Sequence, residues 1–208
     1  MTTILYLEVS PRGPRSWSRR IGAELLDRLQ RQHPAATVVR RDLAANPPPA
    51  IDAVFADAIL KPSEQWNAVE RDTLGYSEQV IGELEAADVV LIATPMNNYT
   101  VPATLKTWID HVVRIRRTFV GTPKGKVGLL RDRPTYIVTV AGGYHAGDGD
   151  AVQPDFLTPY LRAILATIGI HDVRFLTLQG MTRGPDAVAR ASDQARATMD
   201  SWFRFTAR

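Results

Sequence analysis

Short apolar, β-branched runs alternate along this chain with longer segments of helical period, and that alternation restricts the fold more than any other feature. The runs are Ile4–Val9, Thr37–Arg41, Val89–Thr94, Thr135–Val140 and Val173–Leu178. Between and after them, Ile21, Leu25 and Leu29 recur every fourth residue, as do Leu157, Leu161 and Leu165, while Leu105, Trp108, Ile109 and Val112 follow the i, i+3, i+4, i+7 spacing of a one-sided helix. A longer helical pattern runs through Trp66, Val69, Tyr76, Val80 and Leu84, and a terminal one through Val188, Ala191, Ala195 and Trp202. Strand, helix, strand in this rhythm implies βαβ units and a parallel sheet. Val89–Thr94 and Thr135–Val140 carry no charge, as expected of central strands covered on both faces. Residues 117–130 break the rhythm: Thr118-Phe119-Val120, a Gly121-Thr122-Pro123-Lys124-Gly125 turn and Val127-Gly128-Leu129-Leu130 predict a β-hairpin excursion. The expected fold is one three-layer α/β domain over residues 1–208, doubly wound on a five-stranded parallel sheet of order 2-1-3-4-5. The Pro47-Pro48-Pro49 run reads as a turn, since ordered patterns resume on both sides.

Composition removes several classes of chemistry. With no cysteine in 208 residues, there is no disulfide framework, iron–sulfur cluster, thiolate zinc site or Cys nucleophile. Twenty-five Lys and Arg against 22 Asp and Glu give a net charge of +3. The basic residues are scattered, which fits an anionic ligand better than nucleic acid. The longest aliphatic run, Val89–Ala93, is far short of the ~20 residues a membrane helix needs. The amino terminus reads as a strand with no basic leader, so a soluble cytoplasmic protein is expected.

In an open parallel sheet, ligands bind beyond the carboxyl ends of the strands, where the winding direction switches. Three post-strand loops therefore carry the functional reading. The first, Ser10-Pro11-Arg12-Gly13-Pro14-Arg15-Ser16-Trp17-Ser18, opens a helix and offers three hydroxyls, two guanidinium groups and free N–H groups, a set suited to a phosphate dianion. Ser16 or Ser18 would serve equally as a simple N-cap. The loop lacks G-x-G-x-x-G, and the 121–127 stretch, superficially like a P-loop, has the wrong spacing and no helix to follow.

The second loop, Thr94-Pro95-Met96-Asn97-Asn98-Tyr99-Thr100-Val101-Pro102, mixes a thioether, two amides and an aromatic ring. Met96 and Tyr99 could pack on a flat heteroaromatic ligand while Asn98 and the main chain bond its rim; Asn97 and Asn98 could instead satisfy the turn itself. The third loop, Val140-Ala141-Gly142-Gly143-Tyr144-His145-Ala146-Gly147-Asp148-Gly149-Asp150, brings paired glycines whose N–H groups can approach a carbonyl or a developing anion. His145 is a candidate proton donor. His33, His111, His145 and His171 show no ligand spacing, and Asp148 with Asp150 lacks the rest of a calcium loop, so no metal is expected. There is no G-x-S-x-G elbow, and Glu8 alone stands where an aspartyl-phosphate receiver clusters its acids.

These landmarks resemble the FMN-dependent NADH:quinone oxidoreductases with azoreductase activity, a flavodoxin-like family. The resemblance covers nearly the whole chain. It rests on Ser10 with Ser16-Trp17-Ser18, on Pro95-Met96-Asn97-Asn98-Tyr99 leading through Pro102 into Leu105-Lys106 and Trp108-Ile109-Asp110, on Arg117-Thr118-Phe119, on Gly142-Gly143, and on Pro159-Tyr160-Leu161 ending in Ile168-Gly169-Ile170. It implies that Ser10 and residues 16–18 hold an FMN phosphate, Met96, Asn97, Asn98 and Tyr99 the isoalloxazine, and Val140, Ala141, Gly142 and Gly143 the pyrimidine side of the ring. It implies homodimers with the site at the subunit interface, Phe119 and its hairpin facing the partner. Two departures bear on substrate choice: Asn97 stands where many members carry an aromatic residue, and Val140-Ala141 replaces a more polar pair. The expected chemistry is ping-pong, with NADH or NADPH giving hydride to flavin N5 and a quinone or azo compound collecting two electrons, and no obligatory acid–base residue. A non-enzymatic flavodoxin-like electron carrier is the alternative, and a flavin-free interaction module a second.

Overall fold

The computed structural model describes residues 1–146 and 152–203. Five parallel strands, β1 (Thr3–Glu8), β2 (Thr37–Asp42), β3 (Val89–Pro95), β6 (Thr135–Val140) and β7 (Val173–Leu178), form one sheet of order β2-β1-β3-β6-β7. In chain order of the parallel strands this is the expected 2-1-3-4-5. The hairpin is also present, as β4 (Phe119–Thr122) paired antiparallel with β5 (Gly125–Gly128). Among the described residues, six α-helices complete the fold: α1 (Trp17–Gln32), α2 (Ala53–Ala58), α3 (Ala68–Ala86), α4 (Ala103–Val112), α5 (Leu157–Thr167) and α6 (Pro185–Phe203). No helix among the described residues is long and apolar enough to cross a membrane.

The pleat sorts the strand residues onto two faces. Leu5, Leu7, Val90, Ile92 and Ile137 point to one, where α3, α4 and α5 bury Val80, Ile81, Leu105, Trp108, Leu161 and Leu165 against them. Ile4, Tyr6, Leu91, Ala93 and Val138 point to the other, covered by Ile21, Leu25 and Leu29 of α1 and by Ala195 and Met199 of α6. Each such Leu or Ile contributes about 1.5–3 kcal/mol by leaving water. Helices on both faces make the fold doubly wound, and the winding reverses between β1 and β3, which are adjacent.

Differences from expectation are local. Val9 lies just beyond β1, although its N–H still reaches the Ala93 carbonyl at 3.1 Å. Helix α3 starts at an Asn67/Glu70 capping box, so Trp66 precedes it and Val69 is exposed; Leu74, Ser77, Val80, Ile81 and Leu84 set the buried stripe. The buried stripe of α6 runs through Ala187, Ser192, Ala195 and Met199, one step away from Val188. Phe119 is buried within its own chain with the Lys126 ammonium 4.9 Å from its ring, leaving Val127 and Leu129 exposed on the hairpin.

Candidate functional site

At the carboxyl end of the sheet, around the switch point, lies a cleft of about 220 Å³. The β1–α1 loop forms one end of it, with Ser10, Ser16, Trp17 and Ser18 in the wall beside Arg12 and Arg15. The three serines are buried. Ser16 is the N-cap of α1, accepting from Arg19 N–H at 3.4 Å, and its hydroxyl also lies 3.0 Å from that of Ser18. Capping and cleft lining thus fall to the same residue. The N–H groups of Trp17 and Ser18 have no acceptor among the described residues, as the first turn of a helix dictates. Arg12 and Arg15 are exposed, and among the described residues neither guanidinium has a carboxylate within 4.0 Å. Donors dominate this end.

Met96, Asn97, Val140 and Gly142 line the other end. Met96 N–H donates to the Val140 carbonyl at 2.8 Å, which ties the second loop to the third. Asn97 and Thr100 exchange backbone hydrogen bonds of 2.9 and 3.0 Å around Asn98 and Tyr99, both left-handed with φ of 47° and 70°. The turn is therefore closed by main chain, and the Asn97 and Asn98 amides form no hydrogen bond among the described residues. A left-handed Tyr99 costs on the order of 1–3 kcal/mol. Asn98 and Tyr99 stand at the exposed tip of this turn, outside the cleft wall.

Ala141 and Gly143 also lie outside the wall. Ala141 is buried, its N–H bonded to the Leu178 carbonyl at 2.9 Å. Gly143 sits against Gln153, whose Oε1 would lie 2.2 Å from an added Cβ. A fourth segment closes the cleft: Met181 and Thr182, after β7. It is laced to the glycine loop by Met181 N–H to the Ala141 carbonyl (3.1 Å), Gly180 N–H to the Gly143 carbonyl (2.9 Å) and the Thr182 hydroxyl to the Gly142 carbonyl (2.9 Å). These bonds take the carbonyls and leave the Gly142 and Gly143 N–H groups without an acceptor among the described residues. Sequence reasoning misses Met181 and Thr182. Their one signal is the glycine pair Gly180 and Gly184, both with positive φ, bracketing a turn after the fifth parallel strand.

His145 lies outside the cleft wall. Its Nδ1 is 2.9 Å from the Pro154 carbonyl and 3.2 Å from that of Gln153, so it carries a proton, and its ring stands edge-on to Tyr99 at 6.3 Å. Gly147, Asp148, Gly149 and Asp150 of the third loop lie outside the described residues.

Residues 2–203 match the family described by its flavodoxin-like fold. The chain is 50% identical over 198 residues to an FMN-dependent NADH:quinone oxidoreductase of Cupriavidus pinatubonensis, covering 95% of each protein. The chain belongs to the flavodoxin-like family of these oxidoreductases. A second relative, FMN-dependent NADH:quinone oxidoreductase 4 of Pseudomonas fluorescens, is 45% identical over 96% of this chain and 94% of its own. Among solved structures, an azoreductase from Bacillus anthracis superposes with a TM-score of 0.87 at 23% identity, over 99% of this chain and 100% of that one. At that identity the likeness concerns the fold.

Proposed function

We propose that this enzyme is an FMN-dependent NAD(P)H:quinone oxidoreductase that also reduces azo compounds. One observation carries the reading: three buried serine hydroxyls, two free helix N–H groups and two unpaired guanidinium groups converge at one end of a cleft whose other end is walled by Met96 and Gly142. A phosphate dianion is satisfied by such a donor-only end, and a flat ring by a narrow wall of thioether and glycine. The relatives' names, at 45–50% identity over nearly the whole chain, support the same assignment.

FMN, once bound, supplies two-electron transfer through N5, from NADH or NADPH to a quinone or azo acceptor in alternation. The protein binds and orients. Ser10, Ser16 and Ser18 would hold the phosphate, with Arg12 and Arg15 offsetting its charge. Asn97 and Met96 would flank the ring, and the free N–H group of Gly142 would meet its carbonyl edge, a donor worth about 3 kcal/mol when well placed. Bonded to main-chain carbonyls, His145 fits a structural role better than proton transfer. With NAD(P)H as its electron donor, such an enzyme would work in the cytoplasm. We further propose a homodimer: Tyr99, Tyr144 and Phe156 form an exposed aromatic rim beside the cleft loops that a second copy would cover.

The test is anaerobic mixing of flavin-loaded protein with NADH. Bleaching of the oxidised flavin absorbance, with reoxidation by a quinone and by an azo dye, is the expected result. Persistence of the yellow colour would make the protein an electron carrier instead.

A further inference from the structure

Ser10 lines the cleft, yet its carbonyl oxygen is turned onto Arg19, whose Nε and Nη2 donate to it at 2.9 and 2.7 Å. Arg19 does not line the cleft. It stands behind the loop, on α1, largely buried and fixed by two carboxylates from neighbouring strand ends: Asp42 Oδ1 accepts from Nη2 at 2.7 Å, and Glu8 Oε2 lies 3.3 Å from Nη1. Both carboxylates are themselves held. Asp42 accepts from the N–H groups of Ala44 and Ala45 at 3.0 Å each, and the buried Glu8 also pairs with Arg40 at 3.0 Å. The four charges sum to zero, so the cluster adds no net charge beside the cleft. Its effect is positional.

The residue after Ser10 is Pro11, so this peptide has a carbonyl and no N–H. Rotated into the cleft, it could present only lone pairs to an anion. A cradle for phosphate must expose donors and hide acceptors. Ser10 Oγ already accepts from Arg12 N–H at 3.3 Å, which leaves its own proton for a ligand.

We propose that Arg19 is a positioning residue which, by holding the Ser10 carbonyl out of the cleft, sets how strongly the site prefers a flavin bearing a phosphate over the same flavin without one. The inference rests on the FMN reading above. It predicts a selective loss.

Flavin-stripped protein titrated with FMN and with riboflavin, by quenching of flavin fluorescence, gives both dissociation constants. For R19M, FMN affinity should fall at least about tenfold, the factor commanded by a hydrogen bond to a charged group, while riboflavin affinity stays unchanged. R19K keeps the charge but not the planar fork, and should fall between. Should R19M fail to fold by circular dichroism, R19K decides by the same ratio. Equal losses for both flavins would mean that Arg19 only supports the fold, and no loss would mean that the carbonyl is held without it; either overturns the proposal. Wild-type protein that binds both flavins equally would instead refute the phosphate end, and protein that takes up neither would refute the proposed function itself.

Discussion

Ser16 shows how a residue can answer two sequence-level readings at once. It caps α1 and lines the cleft, whereas Ser18 lines the cleft without capping. Ser16→Ala should therefore cost about 1 kcal/mol of stability as a lost cap in addition to flavin affinity, while Ser18→Ala keeps the cap and loses, besides affinity, only the hydroxyl contact with Ser16. Each hydroxyl to a phosphate is worth about 1.5–3 kcal/mol, so the double variant should lose FMN on dialysis that retains it in the wild type; undiminished retention would move the phosphate elsewhere. His111 is the opposite case, a residue whose environment no local pattern discloses. It is buried between the edges of Phe55 and Tyr76, with Nε2 donating to the Pro49 carbonyl at 2.9 Å. Burial pushes its pKa below the ordinary value. The unfolded chain therefore takes up a proton near pH 6.5 that the folded protein refuses, so stability is fully present above about pH 6.5 and declines as pH falls below it. Melting temperatures of wild type and His111→Gln, compared at pH 7.5 and 5.5, should show the larger drop in the wild type. Parallel profiles would refute this source of pH dependence.

At the level of elements, the parallel strands are legible to within a residue or two because short apolar, β-branched runs bounded by turns have few alternatives to a strand, and the charge-free pair β3 and β6 have few alternatives to a buried one. Helix α2 is not. Six residues span less than two turns, and only Phe55 and Ala58 are buried, too few points to define a period. Trp66 extends the helical pattern past its true start because the Asn67 cap, visible as Asn-x-x-Glu, is outweighed by apolar spacing, and Val69, inside the helix, faces solvent. The hairpin is legible too, but its attachment is not, since that depends on backbone approaching backbone. A Cβ at Gly128 would meet Gly169 N at 2.1 Å and the Ile168 carbonyl carbon at 2.3 Å, atoms that cannot rotate away. Gly128→Ala should lower the urea midpoint by the equivalent of about 1–3 kcal/mol, the usual range for overpacking. Gly121, in the same hairpin, has nothing within 4 Å of the place a methyl group would take, and Gly121→Ala serves as the control. Equal effects from the two would count against the close approach.

For the whole molecule, the rule that ligands gather at the switch point brings eight sequence-selected residues to one cleft: Ser10, Ser16, Trp17 and Ser18 at one end, Met96, Asn97, Val140 and Gly142 at the other. Asn98, Tyr99, Ala141 and Gly143 flank it, and Met181 and Thr182 join unannounced, because a short turn after the last strand carries no ligand chemistry of its own. The cleft consequently joins segments that follow β1, β3, β6 and β7, four of the five strands of the sheet. A ligand seated there binds only when all four are in place, so its binding energy should add to global stability rather than to one loop. At a hundredfold excess over Kd that addition is about 2.7 kcal/mol, and at about 2–4 °C per kcal/mol for a chain of this size FMN should raise the melting temperature by about 5–10 °C. Calorimetry of flavin-stripped protein with graded FMN measures it directly. The transition should move as one and remain single; a second transition that alone responds to FMN would mean that the cleft loops unfold apart from the sheet that carries them.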